Sequence, residues 1–312
     1  MKSPGTTEPE TAESGAVESV DWSRFAYVQY VTNSVYLCNS VMLFERLQQV
    51  GSRADRVMMY PSWMMGEGGR GRLDDRRLLL KARDEYNVRL APIEVLTRPG
   101  QDPTWAESFT KLLAFNQTQY ARVLSLDSDA NVLQNLDELF LLPPSPVAMP
   151  RAYWLYPQEK KLASHIVLLQ PSATEFARVM DAVRDAAPGD YDMEILNRLY
   201  GDSALVLPHR PYALLTREYF REPWNHSHYL GSDREQWDPV AVYSEAKYLH
   251  FSDWPMPKPW LPADEELRLQ VQPKCYVNDG GVESCAEREL WNGWRNEFKE
   301  RRKVCYRPPE GK

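Results

Sequence analysis

Four apolar, β-prone runs, "FAYVQYV" (25–31), "ADRVMMY" (54–60), "RLAPIEVL" (89–96) and "VLSL" (123–126), are separated by segments with helical spacing. Strands alternating with helices require parallel strands joined by right-handed crossovers. The expectation is an α/β fold with a mainly parallel central sheet, in which ligands bind outside the carboxyl ends of the strands. "YLCNSVMLFERLQQVG" (36–51) reads as a helix stopping at Gly51, a charged helix is expected between Arg70 and Tyr86, and Trp105, Phe109, Leu112 and Leu113 fall on one face of a third. After the fourth strand the rhythm changes, through "NVLQNLDELF" and the proline cluster "LLPPSPVAMP". "IVLLQPS" then reads as a strand, and "TEFARVMDAVRDA" as a helix capped by Ser172 or Thr174. From Tyr248 the chain is aromatic, proline-broken and irregular, apart from an amphipathic helix that places Trp291, Trp294 and Phe298 on one face suited to core packing. The basic run Lys299–Lys303 reads as its solvated end.

The chain has 312 residues and 43% hydrophobic content, enough for a large packed core. A formal charge of −7 argues against a broad nucleic-acid or anionic-membrane surface. No run of eighteen apolar residues and no signal-like leader precedes Asp21, so the chain is expected to be cytosolic or to lack an anchor. Residues 1–22 are polar and acidic, read as a disordered segment that could be the remnant of a stem. Cys38 stands alone, whereas Cys275, Cys285 and Cys305 cluster near the end; a clip between Cys275 and Cys285 depends on a secretory compartment. Sequons at Asn116 and Asn225 lend that compartment weak support.

The chemistry concentrates in "VLSLDSDANV" (123–132), where an apolar strand ends at Asp127 and Asp129 with Ser128 between them. In an extended segment both carboxylates point the same way and repel unless a cation lies between them. A divalent ion is one answer and a solvated turn the other.

Longer blocks around this pair resemble glycosyltransferase family 8, the glycogenin-like enzymes with the GT-A fold. "YVTNSVY" (30–36) looks like that family's first strand and uridine loop, and "TKLLAFNQTQYARVLSLDSDANVLQNLDELF" (110–140) is similar to its central block throughout. "IVLLQPSATEF", "YDMEILN" and "HFSDWPMPKPW" follow in the family's order, so the resemblance covers about Phe25 to Trp260. It implies a retaining transfer of sugar from a UDP donor to a glycan or glycoprotein acceptor. Asp127, Asp129 and His250 would hold Mn²⁺ or another divalent cation, and Lys258 would meet the diphosphate. Thr32, Asn33, Tyr36, Ser128 and Ser164 would contact the nucleotide sugar, with Lys111 and Asp192 at the reacting centre.

Departures from the family pattern are concentrated near the donor sugar. Met193 and Glu194 replace a glutamine and a glycine, and Ala163, Ser164 and His165 replace an asparagine-serine-glycine triplet. His250 and Lys258 stand two residues further apart than in glycogenin, without the intervening glycine. Blocks such as "YPSWM", "ASHIVLLQPS" and "YLHFSDWPMPKPW" are closest to the branch resembling fungal Golgi α-1,4-N-acetylglucosaminyltransferases. That implies N-acetylglucosamine as the donated sugar and the Golgi lumen as the compartment, with the cytoplasm as the alternative. The expected organisation is a GT-A domain over 23–262 and a C-terminal extension, 263–312, packing on it. The oligomeric state is not legible. A glycosidase would need its two carboxyls on opposite sides of the bond, which carboxylates two residues apart do not offer. A non-catalytic UDP-sugar-binding protein, or a glucosyl- or galactosyltransferase of the same fold, remains an alternative.

Overall fold

The computed structural model describes residues 19–66, 73–98, 106–277 and 281–306. The expected disordered segment up to residue 18, the start of the charged helix at Arg70, and Trp105 lie outside the described residues. Near the start of the described residues, Trp22–Arg24 form a 3₁₀ turn capped by Asp21.

The first half follows the expected alternation. Strand β1 (Phe25–Tyr30) leads through helix α1 (Ser34–Gln49) to β2 (Asp55–Pro61), and helix α2 (Leu73–Tyr86) leads to β3 (Val88–Ile93). After β4 (Arg122–Leu126) come the short β5 (Ala130–Val132), β6 (Val147–Pro150) and β7 (Ile166–Leu169). Helix α3 (Ala173–Arg184), capped by Ser172 rather than Thr174, and helix α4 (Asp192–Tyr200) precede β8 (Leu205–Leu207). The seven-stranded sheet has the order β3-β2-β1-β4-β7-β6-β8. β3, β2, β1 and β4 are all parallel, β7 runs antiparallel to both β4 and β6, and β6 is parallel to β8.

Each inner strand feeds two cores because successive side chains face opposite ways. On β1, Tyr27 joins one apolar cluster while Ala26 and Val28 join the other; on β4, Leu124 and Leu126 oppose Val123. Full burial of each such side chain contributes about 1.5–3 kcal/mol before the entropy of ordering is subtracted.

The segment expected as an α-helix before β4 is a 3₁₀ helix, Ser108–Asn116. With three residues per turn, Phe109, Leu112 and Phe115 form one buried row, whereas Leu113 is only half-buried. The C-terminal region is more regular than its proline content suggested. It contains a short hairpin, Tyr276–Val277 with Glu283–Ser284, and helices Glu265–Val271 and Ala286–Arg301. Trp291, Trp294 and Phe298 of the last helix are buried in the same apolar cluster as Tyr27 and Leu124. Cys275 is bridged to Cys285, and Cys38 in α1 is bridged to Cys305 across 267 residues. The second bridge was not foreseen, since nothing local to Cys38 identifies a partner so far along the chain.

Candidate active site

The strand order reverses between β1 and β4, and the crevice at such a point opens at the strands' carboxyl ends. Thr32 and Asn33 follow β1 there, and Asp127 follows β4. Because β7 is antiparallel to β4, with Leu126 opposite Ile166, the residues entering β7 reach the same end, and Asp127 N–H donates to the His165 carbonyl at 3.0 Å. A second, three-stranded sheet supplies the remaining side. β10 (Tyr248–His250) pairs parallel with β9 (Leu214–Leu215) on one side and antiparallel with β5 on the other, in a register that sets His250 opposite Ala130, one residue beyond Asp129. Phe251 N–H donates to the Asp129 carbonyl at 3.0 Å, and the Tyr248 hydroxyl donates to the Asp127 and His165 carbonyls at 2.9 and 3.1 Å. These bonds carry a histidine 121 residues downstream of Asp129 to that carboxylate, where His250 Nε2 lies 3.2 Å from Asp129 Oδ1.

Ligand-type atoms of Asp127, Asp129 and His250 all lie within 4.8 Å of one another. Two lysines converge on the same carboxylates. Lys258 Nζ is 2.7 Å from Asp129 Oδ2 and also donates to the Phe251 carbonyl. Lys111, only 4% exposed, lies 2.7 Å from Asp127 and 2.8 Å from Asp192, and donates to the Ser164 carbonyl at 3.0 Å. An isolated helical lysine would be expected in solvent; the 3₁₀ segment turns this one inward. Asp192 opens α4, with its carboxylate near the positive end of that helix and its N–H directed at Ser108 Oγ, 3.4 Å away.

Three carboxylates thus face two ammonium groups. Burial and the neighbouring Asp129 and Asp192 push the Asp127 carboxyl up to about 6, although Lys111 pulls the other way. For Asp129 burial acts in the same upward sense, but His250 and Lys258 outweigh it and hold the carboxyl well below its ordinary range. Burial opposes charging of Lys111, yet Asp127 and Asp192 overcome it and hold the ammonium above its usual range. Two oxygens and an imidazole nitrogen, with charge balance favouring one more cation, fit a divalent ion of manganese type.

The remaining expected contacts are less uniform. Asn33 uses its side-chain oxygen to cap α1, accepting from Val35 and Tyr36 N–H at 3.0 and 3.3 Å, and its amide lies 3.4 Å from Thr32 Oγ1. Tyr36 meets Trp260 edge to face at 5.9 Å, and burial, then Asp129 and Asp127, push its hydroxyl up to about 12. Ser128 and Ser164 are buried at the strand ends. Lys258 was expected on a diphosphate; the structure pairs it with Asp129, within the range of one flexible stem.

Tyr30 and Tyr248 of this centre were given no role from the sequence, and His165 was read only as a departure from the family pattern near the donor sugar. Tyr30 is half-buried beside Lys111, and burial, then Asp127, Asp192 and Asp129, raise its hydroxyl well above the usual range. Tyr248 and His165 stack with ring centroids 5.9 Å apart, and His165 stacks on His250 at 5.1 Å. Burial, then His250 and Lys111, hold the His165 imidazole well below its ordinary range. Their positions flanking the strand ends were the available signal.

No family model matches the chain. It is 57% identical over 291 residues to the glucose N-acetyltransferase 1 of Gibberella zeae, covering 92% of the chain and 63% of that protein. It is 46% identical over 305 residues to the protein of the same name from Aspergillus fumigatus, covering 92% of the chain and 78% of that protein. The chain therefore spans just under two thirds of the length of the first relative. Among solved structures, the galactosyltransferase LgtC in complex with donor and acceptor sugar analogs superposes with a TM-score of 0.58 over 91% of the chain and 98% of LgtC, at 12% identity. That likeness establishes the GT-A fold. The chain has that fold, and it belongs to the family of the Gibberella and Aspergillus proteins named glucose N-acetyltransferase 1.

Proposed function

We propose that the chain is a retaining, divalent-metal-dependent hexosyltransferase that moves N-acetylglucosamine from a UDP donor to a glycan or glycoprotein acceptor. The observation carrying this reading is the convergence of Asp127, Asp129 and His250 at the strand ends, with Lys111 paired to the first carboxylate and Lys258 to the second. A divalent cation held by the three ligands would neutralise charge developing on a departing diphosphate. Lys258 has the reach to pass its ammonium from Asp129 to a phosphate oxygen, a role suited to a point charge on a flexible stem. Lys111 fixes Asp192 in place through their ion pair, where its carboxylate can stabilise an oxocarbenium-like centre or attack it. Thr32, Asn33 and Tyr36 line the nucleotide side, and Ser128 and Ser164 border the donor between the two strand ends.

The two disulfides favour an oxidising compartment, in keeping with the Golgi lumen, and the sequon asparagine Asn116 is exposed. No helix among the described residues is long and apolar enough to cross a membrane.

The test is incubation with UDP-N-acetylglucosamine, UDP-glucose and UDP-galactose, with Mn²⁺ or with EDTA, measuring UDP release. Release should be fastest from UDP-N-acetylglucosamine and should fall to background in EDTA. Equal release in EDTA would contradict the metal assignment. A second reading, favoured by the name the relatives carry, is acetyl transfer to glucose; product formed from an acetyl thioester and glucose, without UDP release, would select it.

A further inference from the structure

The segment from His250 to Lys258 is a loop with both feet on one carboxylate. His250 Nε2 meets Asp129 Oδ1 at 3.2 Å, and Lys258 Nζ meets Asp129 Oδ2 at 2.7 Å. Trp254 is the midpoint, four residues from each foot, and its side chain is among the least buried of the large apolar residues, with Trp254 84% exposed. Four residues span at most about 14 Å even fully extended. The Trp254 Cα is therefore within about 14 Å of the Cα of each of the two residues that grip Asp129.

The loop is pinned along its length. Ser252 N–H donates to Thr216 Oγ1 at 2.9 Å, and the Thr216 hydroxyl donates to Asp253. The other oxygen of Asp253 receives Arg295 at 3.2 Å, and Arg295 also donates to the Pro257 carbonyl at 2.8 Å. Asp253 and Arg295 are buried, so the exposed tryptophan stands on a fixed base. An apolar ring carried in water on a pinned loop contributes nothing to the core.

A cleft of about 250 Å³ opens beside it, lined by Arg217, Phe220, Arg221, Glu222 and Asn225. Arg217 joins the two features: its N–H faces Ser252 Oγ at 3.3 Å and its guanidinium donates to the Trp254 carbonyl at 3.3 Å. The Phe220 ring lines the cleft, packed edge to face with buried Trp291 at 5.6 Å, with the Arg217 guanidinium 5.0 Å from its centroid. An aromatic surface rimmed by a guanidinium, a carboxylate and an amide matches a sugar, which presents an apolar C–H face and a rim of hydroxyls.

We propose that Trp254 and the adjoining cleft form the acceptor subsite, binding a neutral oligosaccharide with one sugar stacked on the indole and its neighbour between Phe220 and the Arg217–Glu222 edge. This rests on the transferase reading above, because it places the acceptor against a donor held at Asp129. A glycan is favoured over an acidic or basic peptide because the cleft mixes two arginines with a carboxylate and an amide rather than presenting one sign of charge.

The test uses the full chain with Mn²⁺ and UDP, applied to a panel of immobilised gluco-, galacto-, manno- and N-acetylglucosamine-containing oligosaccharides. Wild type should be retained on at least one class. Trp254→Ala should weaken that binding about tenfold or more, while Trp254→Phe, which keeps a ring, retains most of it. Melting curves of both variants should match wild type, since the side chain is exposed. Calorimetric binding of UDP with Mn²⁺ separates the two levels of the account. If wild type does not bind UDP, the transferase reading fails. If it binds UDP but no oligosaccharide, or Trp254→Ala binds the same oligosaccharides within twofold, the acceptor subsite is overturned alone.

Discussion

Asp129→Asn is expected to lower metal-dependent UDP release at least about a thousandfold. The substitution keeps the shape of the side chain but removes the charge that draws in a cation, and Lewis-acid stabilisation of a leaving diphosphate accounts for several kcal/mol, or about a factor of ten for each 1.4 kcal/mol. Asp129 is the carboxylate on which the site converges: His250 and Lys258 both contact it, and its backbone carbonyl accepts from Phe251. Ser128→Ala, between the two ligands but bearing no charge, should change the rate far less. Measuring UDP release at saturating donor and several Mn²⁺ concentrations checks both. A variant that retains even a tenth of wild-type release at low Mn²⁺ would remove Asp129 from the metal site.

Lys111→Met should destabilise the metal-free protein by about 3–5 kcal/mol, the usual result of removing one partner from a buried ion pair. The ammonium is only 4% exposed and lies within 2.8 Å of two carboxylates, so its loss leaves Asp127 and Asp192 facing each other in a poorly hydrated space. The pH dependence has a definite sign. Asp127 is raised from 3.8 to about 6 in the folded protein, so its contribution to stability is fully present below about pH 4 and is lost as pH rises through 6. Removing Lys111 takes away the group that opposes this rise. The deficit of the variant should therefore be larger at pH 8 than at pH 5, where protonation relieves the repulsion. Urea unfolding in EDTA at both pH values tests this. A loss under 1 kcal/mol, or one that grows on acidification, would contradict the buried triad.

The parts of the fold that could be read directly were the strands buried on both faces. β1, β2 and β4 appear as mostly apolar runs, interrupted within by only Gln29 and Ser125, because both sides of the sheet are covered, and their helices follow at the spacing that packs onto it. Periodicity misjudged the segment around Lys111, since an α-helix and a 3₁₀ helix differ by little over nine residues: Leu113 suggested the first, whereas Phe109, Leu112 and Phe115 form the row of the second. The direction of β7 was equally hidden, because strand orientation depends on the route of the connection rather than on the strand's own residues. At the site, Asp127 and Asp129 announced themselves through their spacing, but His250 is tied to them only by the pairing of β10 with β5. That is a long-range register, which one sequence reveals only through resemblance to a family. The Cys38–Cys305 bridge, the burial of Lys111 and the exposure of Trp254 are likewise products of tertiary packing with no local signature.

The most direct measurement is an anomalous difference map from crystals grown with Mn²⁺ and UDP. The account predicts one strong peak about 2.0–2.3 Å from carboxylate oxygens of Asp127 and Asp129 and from a ring nitrogen of His250, with diphosphate oxygens completing the coordination and Lys258 turned toward them. UDP bound in that crevice with no peak between the three residues, or a peak coordinated elsewhere, would contradict it.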